Sequence, residues 1–242
     1  MSVELRVAVV TDIHGNLQAL RAVLSDLQRR GPFDRLIAGG DYCLNGPEPV
    51  EAFDLIREHA DILLKGNTDR DIVDEGASDA DLGDKKRASI AWTREQLGAD
   101  RIAALDELAF GERVEPPGGV LHVVHANPHD LDQHIFPDMA DDDLRQLVGD
   151  LDADVLVFGH LHIPFRRRIG DLRLFNVAAC GLPRDGDRRA AWGSFAWSPD
   201  SGWRGTIHRT AYDHGTTALR MIERGMPHPD RRIRDLLRAT YD

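Results

Sequence analysis

The sequence predicts a single α/β domain, and three observations predict it. Short β-branched apolar runs alternate with stretches of helical periodicity from the N-terminus onward. Neither an internal repeat nor a flexible linker divides the 242 residues. The polar clusters of the first two thirds of the chain each follow directly on an apolar strand, which is where α/β folds place their ligands.

Residues 7–11 form an apolar strand of the fully buried type. A polar loop over 12–16 leads into a helix whose stripe is Leu17, Leu20, Val23, Leu24 and Leu27, stopped by Gly31-Pro32. Leu36-Ile37-Ala38 is the next strand and ends in Gly39-Gly40-Asp41. A helix after Pro49 buries Val50, Phe53, Leu55 and Ile56, and a third strand, residues 62–64, ends in Gly66-Asn67. Residues 75–86 are acidic, contain glycine and show no period, so they read as a surface loop. Two helical segments follow over 88–96 and 101–108. Beyond Pro116-Pro117-Gly118-Gly119 the chain turns to strands, at 120–124 and 155–158, with a long loop and an acidic helix led by Asp141-Asp142-Asp143 between them. Three aspartates suit a helix N-terminus, where negative charge is favoured. Strand-like pieces at 172–177, 190–197 and 203–212 precede two closing helices over 218–224 and 231–237.

Composition narrows the class. The chain has 41 acidic and 30 Lys+Arg residues, a formal charge of −11. That balance speaks against a nucleic-acid groove or an anionic membrane surface. Cys43 and Cys180 are the two cysteines, too few for a disulfide framework. The apolar run at 7–10 is too short for a signal peptide or a membrane span, so the expectation is a cytoplasmic protein.

Five clusters carry chemistry: Asp12-Ile13-His14-Gly15-Asn16, Gly40-Asp41, Gly66-Asn67-Thr68-Asp69, His125 and Gly159-His160-Leu161-His162. Residues two apart in extended chain face the same side, so Asp12 and His14 can aim at one ion, and His160 and His162 at neighbouring points. Imidazole with carboxylate suits Mn, Fe, Zn or Ni better than Ca or Mg alone.

In content and order these blocks resemble the calcineurin-like metallophosphoesterases, whose pattern is D-x-H, G-D, G-N-H-[DE], H and G-H-x-H. Gly46-Pro47-Glu48-Pro49, the stretch from Asn176 to Asp187 and Tyr212-Asp213 resemble a small bacterial branch, so the likeness covers nearly the whole chain. It implies a four-layer αββα sandwich of two mixed β-sheets flanked by helices, as one domain over 1–242 with the C-terminal helices, about 214–240, packed on it. It also implies two divalent ions, Mn first and Fe, Zn or Ni as alternatives. Asp12, His14 and His162 would bind one ion, Asn67, His125 and His160 the other, and Asp41 would bridge both. The implied reaction is hydrolysis of a small phosphodiester or phosphomonoester by a bridging hydroxide, the diester favoured. Asp41, Asn67 and the Thr68 position are the catalytic residues. A protein phosphatase of the same fold and a non-catalytic metal-binding scaffold are the competing readings.

One position departs from the pattern. Most of the superfamily has His after Gly-Asn, where this chain has Thr68, a poor proton donor at neutral pH. Asn16, Asn127, His129 and His134 are the candidate substrate contacts, although Asn16 serves equally as a helix cap. His122 reads as a strand histidine and Cys43 as a small buried residue. Arg184 has two readings, a phosphate contact or, at least as simply, a partner of Asp185 or Asp187, and Arg231, Arg232, Arg234 and Arg238 form a solvated helix face. The tryptophans at 192, 197 and 203 belong to the core. The partner expected is a small phosphate ester; oligomeric state is left open.

Overall fold

The computed structural model describes residues 5–77 and 82–241. In chain order the elements are β1 (Leu5–Val10), α1 (Leu17–Arg30), β2 (Arg35–Ala38), α2 (Pro49–His59), β3 (Ile62–Leu63), α3 (Asn67–Val73), α4 (Asp84–Asp106), β4 (Gly111–Val114) and β5 (Leu121–Val124). They continue with α5 (Asp141–Val148), β6 (Val155–Phe158), β7 (Phe165–Ile169), β8 (Leu172–Asn176), β9 (Ala190–Ser198), β10 (Gly202–Thr210), α6 (His214–Glu223) and α7 (Pro229–Arg238).

The strands form two mixed sheets of five, in the orders β10-β9-β1-β2-β3 and β4-β5-β6-β8-β7. Strand alternation explains why they stack. In β1, Val7 and Val9 point between the sheets, where they meet Val123, Val155, Val157 and Trp203. Ala8 and Val10 point the other way, onto Leu20 and Val23 of α1 and Phe53 and Ile56 of α2. In β6, Val155 and Val157 face the inter-sheet layer while Leu156 and Phe158 join Leu144 and Leu147 of α5. The layers are therefore helices, sheet, sheet, helix, as the family resemblance implies. Each such Val or Leu side chain gains roughly 1.5–3 kcal/mol from burial.

The sequence misses some elements for physical reasons. β7 carries Arg166, Arg167 and Arg168, with Arg166 and Arg168 exposed, so an edge strand looks like a charge run. α3 is only seven residues long and starts inside the Gly66-Asn67 cluster. β4 is four residues with a single buried position. The loop expected over 75–86 is shorter than its composition suggests, because α4 begins at Asp84 behind Gly83; residues 78–81 lie outside the described part. The two helical segments expected after it are present as the two halves of α4, separated at Gly98, whose φ of 70° is open to glycine. Trp192, Trp197 and Trp203 are buried, as is Cys43. Among the described residues no helix is long and apolar enough to cross a membrane.

A candidate metal centre

The loops after β1, β2, β5 and β6, with the start of α3, converge at one end of the two sheets. Their backbones are unusual. Asp12, His14, Asp41, His160 and His162 all have φ between 49° and 63°, a region that L-residues other than glycine seldom occupy. Half of the ten such residues described are thus candidate ligands. Strain of this kind persists only where surrounding contacts hold it in place. Here they are visible: Asp12 N donates to the Gly40 carbonyl (3.0 Å) and His14 N to the Asp41 carbonyl (2.9 Å), so the first two loops brace each other. Two glycines make the approach possible. A Cβ at Gly66 would overlap Asp41 Oδ1, and one at Gly159 would overlap Asp12 Oδ2.

The side chains are oriented by the main chain. His14 Nδ1 donates to the Leu44 carbonyl (2.8 Å), His125 Nδ1 to Gly39 (2.9 Å) and His162 Nδ1 to Leu182 (2.7 Å). In His160 it is Nε2 that donates, to the Asp132 carbonyl (2.7 Å). A carbonyl oxygen only accepts, so each of these nitrogens carries a ring proton and turns the other nitrogen of its ring toward the cluster. Such outer partners are what fix the tautomer of a metal-binding histidine.

These inward nitrogens face one another and the carboxylates. His14 Nε2 lies 3.1 Å from His162 Nε2. His162 Nε2 is 3.0 Å from Asp12 Oδ1, and that oxygen has no hydrogen-bond donor although it is buried. His14 Nε2 is 3.6 Å from Asp41 Oδ2, and His125 Nε2 is 3.5 Å from Asp41 Oδ1 and 3.0 Å from Asn67 Oδ1. Nitrogens and carboxylate oxygens crowded this closely out of water suit a cation among them. Asp12, His14, Asp41 and His162 place one ligand atom each within 4.8 Å of one another. These residues fit a divalent transition ion in number, type and orientation.

Ionisation agrees. Burial first, then His162, push the His14 pKa down to about 3. Burial, then His125 and His134, do the same to His160. Both rings are therefore neutral and ready to ligate. Burial and the neighbouring Asp12 push the Asp41 carboxyl up to about 7, the sign of a site with more negative charge than its own residues balance.

Asp69 is the residue that sequence reasoning passed over. Its Oδ2 accepts from Asp41 N (2.7 Å) and Gly66 N (2.8 Å), and its Oδ1 accepts from Tyr42 N (3.0 Å). It holds the strained Asp41 backbone in place. Its presence in the fourth position of Gly66-Asn67-Thr68-Asp69 was the available signal.

A cleft of about 250 Å³ opens over the cluster, lined by His14, Asp41, Asn67, Thr68, His160 and His162 and flanked by His134, Arg184, Arg232 and Tyr241. Thr68 N donates to Asp41 Oδ1 (2.9 Å), and the Thr68 hydroxyl has no partner. His134 stacks on His160 with ring centroids 4.1 Å apart. The other three loop candidates are not brought to this cleft. Asn16 spends its amide on the Gly181 carbonyl and the Tyr212 hydroxyl, and its oxygen accepts from Ala19 N and the Thr217 hydroxyl, so it caps α1 and ties α6 to it. Asn127 organises its own loop, accepting from His129 N and Asp130 N and donating to the Gln133 carbonyl. His129 lines a separate cavity with Met139 and Leu147. Arg184 also departs from expectation: Asp185 pairs with Arg209 and Asp187 with Arg189, while Arg184 turns toward Asp235.

A sandwich of this layering with His, Asp and Asn gathered at its strand ends defines a class of metal-dependent phosphoesterase folds. The match to the calcineurin-like phosphoesterase family runs over residues 5–164, and the chain belongs to that family. It is 29% identical over 239 residues to an uncharacterised protein of Methanocaldococcus jannaschii, covering 91% of this chain and 93% of that one. It is similar to the crystal structure of a metallophosphoesterase from Sphaerobacter thermophilus, at 27% identity and a TM-score of 0.79, covering 98% of this chain and 99% of that one. A hypothetical protein of Pyrococcus horikoshii shares the fold at a TM-score of 0.83 and 18% identity, covering 98% and 100%.

Proposed function

We propose that the protein is a binuclear-metal phosphoesterase that hydrolyses a small phosphodiester or phosphomonoester, with the diester preferred. The observation that carries this is the convergence of histidine ring nitrogens and carboxylate oxygens on one another in a cleft, in a chain of this family. Asp12, His14 and His162 would hold one ion and Asn67, His125 and His160 a second, with Asp41 facing both sets through its two oxygens. Mn is the first choice of metal, with Fe, Zn or Ni as alternatives. When bound, such a pair of ions neutralises phosphoryl oxygens and activates a water.

The chain's own residues select the substrate and support the reaction. The cleft, about 250 Å³, lies just below the usual range for small-molecule sites and admits a compact ester more readily than a folded phosphoprotein. Asp69 and the Thr68 amide hold Asp41 in place. Thr68 is too weak an acid to protonate a leaving alcohol, so esters with good leaving groups are favoured.

The test is to purify the protein, measure bound metals, and compare bis(4-nitrophenyl) phosphate, 4-nitrophenyl phosphate and 2′,3′- and 3′,5′-cyclic nucleotides with Mn, Fe, Zn and Ni. Aryl diesters are expected to turn over faster than monoesters. Turnover no better than buffer with every metal overturns the enzyme reading and leaves a scaffold. Thr68→His is expected to raise the rate on poor leaving groups. No change, with metal content intact, would show that this position does not serve the leaving group.

A further inference from the structure

The cleft has a second wall that the metal cluster does not explain. It is built by the C-terminal segment and by the stretch after β8. Arg184 N donates to the His162 carbonyl (3.0 Å), the Tyr241 hydroxyl donates to the Leu161 carbonyl (2.7 Å), and Asp185 pairs with Thr240 in an antiparallel bridge. The wall is thus fastened to the loop that carries His160 and His162.

Two arginines stand in it, with side chains only 10% (Arg184) and 15% (Arg232) exposed. Their partners are few. Arg184 Nη1 donates to the Thr240 carbonyl at 2.8 Å, and its Nη2 lies 3.8 Å from Asp235 Oδ2. Arg232 Nη1 lies 4.0 Å from the same oxygen, and its Nη2 reaches the Ser89 hydroxyl at 3.5 Å. A guanidinium has five donors, so most are unspent. The Tyr241 ring face lies 5.5 Å from Arg184 Cζ, and one carboxylate faces the two cations, so the pair carries more positive charge than its carboxylate balances. Burial first, opposed by Asp235, pushes the Arg232 pKa down to about 10, and it stays charged at neutral pH. Buried charge without a partner is costly and is tolerated where a ligand supplies the partner. The arginine fork matches phosphate oxygens in geometry as well as charge.

We propose that Arg184 and Arg232 form an anion subsite that takes a second phosphate of the substrate, remote from the phosphorus that reacts. The preferred substrate is then a compact ester carrying two phosphates. The proposal rests on the phosphoesterase reading, and α7 enters it as a specificity element rather than a solvated face.

A matched pair of substrates tests it: 4-nitrophenyl ethyl phosphate and its analogue with a phosphate on the ethyl carbon, both followed by nitrophenol release from the Mn-loaded protein. Binding of inorganic pyrophosphate and of inorganic phosphate is measured in parallel by calorimetry. Arg184→Gln and Arg232→Gln are each expected to lower kcat/KM for the two-phosphate ester at least about tenfold more than for the one-phosphate ester, since a charge-assisted hydrogen bond is lost only there. Pyrophosphate affinity should fall by a similar excess over phosphate affinity. Arg231→Gln, an exposed neighbour on α7, controls for helix damage and should leave both ratios unchanged. Equal losses on both esters would overturn the proposal, because the arginines would then serve the reacting phosphate or the fold. So would no loss. If the wild-type protein cleaves neither ester with any metal, the phosphoesterase reading fails, and the pyrophosphate comparison still decides the subsite.

Discussion

Two buried acidic regions of this molecule have opposite designs. Asp26, on α1, is 6% exposed and every one of its oxygens is paired with a donor. Its Oδ2 accepts from the Thr210 hydroxyl (2.9 Å), Trp192 Nε1 (3.2 Å) and Arg30 Nε (3.1 Å), and its Oδ1 accepts from Arg29 (3.0 Å). Asp12 and Asp41 are buried too, yet Asp12 Oδ1 has no donor and Asp41 Oδ2 faces the His14 ring nitrogen. Depth of burial is similar; what separates a structural acid from a functional one is the balance of donors and acceptors. A surplus of acceptors marks where a cation belongs. The same accounting, with the sign reversed, marks Arg184 and Arg232 as a place for an anion.

The contrast breaks most visibly at Asp41. Asp41→Asn keeps the shape but replaces one carboxylate oxygen with an amide donor, in the one residue that faces both halves of the cluster. Metal content by elemental analysis is expected to collapse, and turnover to fall by more than the roughly 10–100-fold that outer partners of a metal site alone command. Normal metal content and rate in this variant would remove the assignment. Asp69→Ala lies between the two regions, because Asp69 is a donor-satisfied acid that serves the centre only through Asp41. Three buried main-chain N–H groups lose their acceptor. Leaving such donors unsatisfied costs about 1–3 kcal/mol each before relaxation. Urea unfolding of the metal-free protein should show a loss of that order. Metal titration should show the weakening, about 10–100-fold, expected for an outer partner. A stability loss with unchanged metal affinity would confine Asp69 to the fold.

The difference in design also governs what is legible in the sequence. Asp12, His14, Asp41, His160 and His162 sit in short loops at strand ends, so local spacing and chain order reveal them. Each needs only its neighbours and a strand of the right type behind it. Asp26 is unreadable, because two of its partners, Trp192 and Thr210, arrive from strands 166 and 184 residues away. Arg232 is misread for the same reason. On a helix with arginines at 231, 232, 234 and 238 nothing local tells which one turns inward, and the tail that lines the same cleft is fixed by contacts to Asp185 and Leu161. The edge strand β7 hides behind its three arginines until β8 pairs with it. The two-sheet sandwich is legible only through the family resemblance, because β1 and β6 are apolar at every buried position and their sequences do not tell which face meets the other sheet.

The smallest expected effect belongs to Asp26, where the comparison predicts a pH dependence rather than a loss of activity. Burial pushes its pKa up, but the Thr210 and Arg30 hydrogen bonds and the Arg30 charge outweigh it, so the folded carboxyl lies below the ordinary value. A group whose folded pKa is depressed adds stability above its unfolded pKa, about 3.9. That contribution fades as pH falls through the folded value, because the unfolded chain takes up its proton first. Asp26→Asn should therefore be less stable than wild type at pH 7, by about 1–3 kcal/mol for the charged hydrogen bonds lost. The gap should narrow below about pH 4 as the wild-type carboxyl is neutralised. Denaturation midpoints at pH 7, 4 and 3 measure this directly. A gap that stays constant across that range would mean that the carboxyl acts through shape alone. The contrast with Asp41, whose loss should empty the centre, would then rest on hydrogen-bond geometry and not on charge.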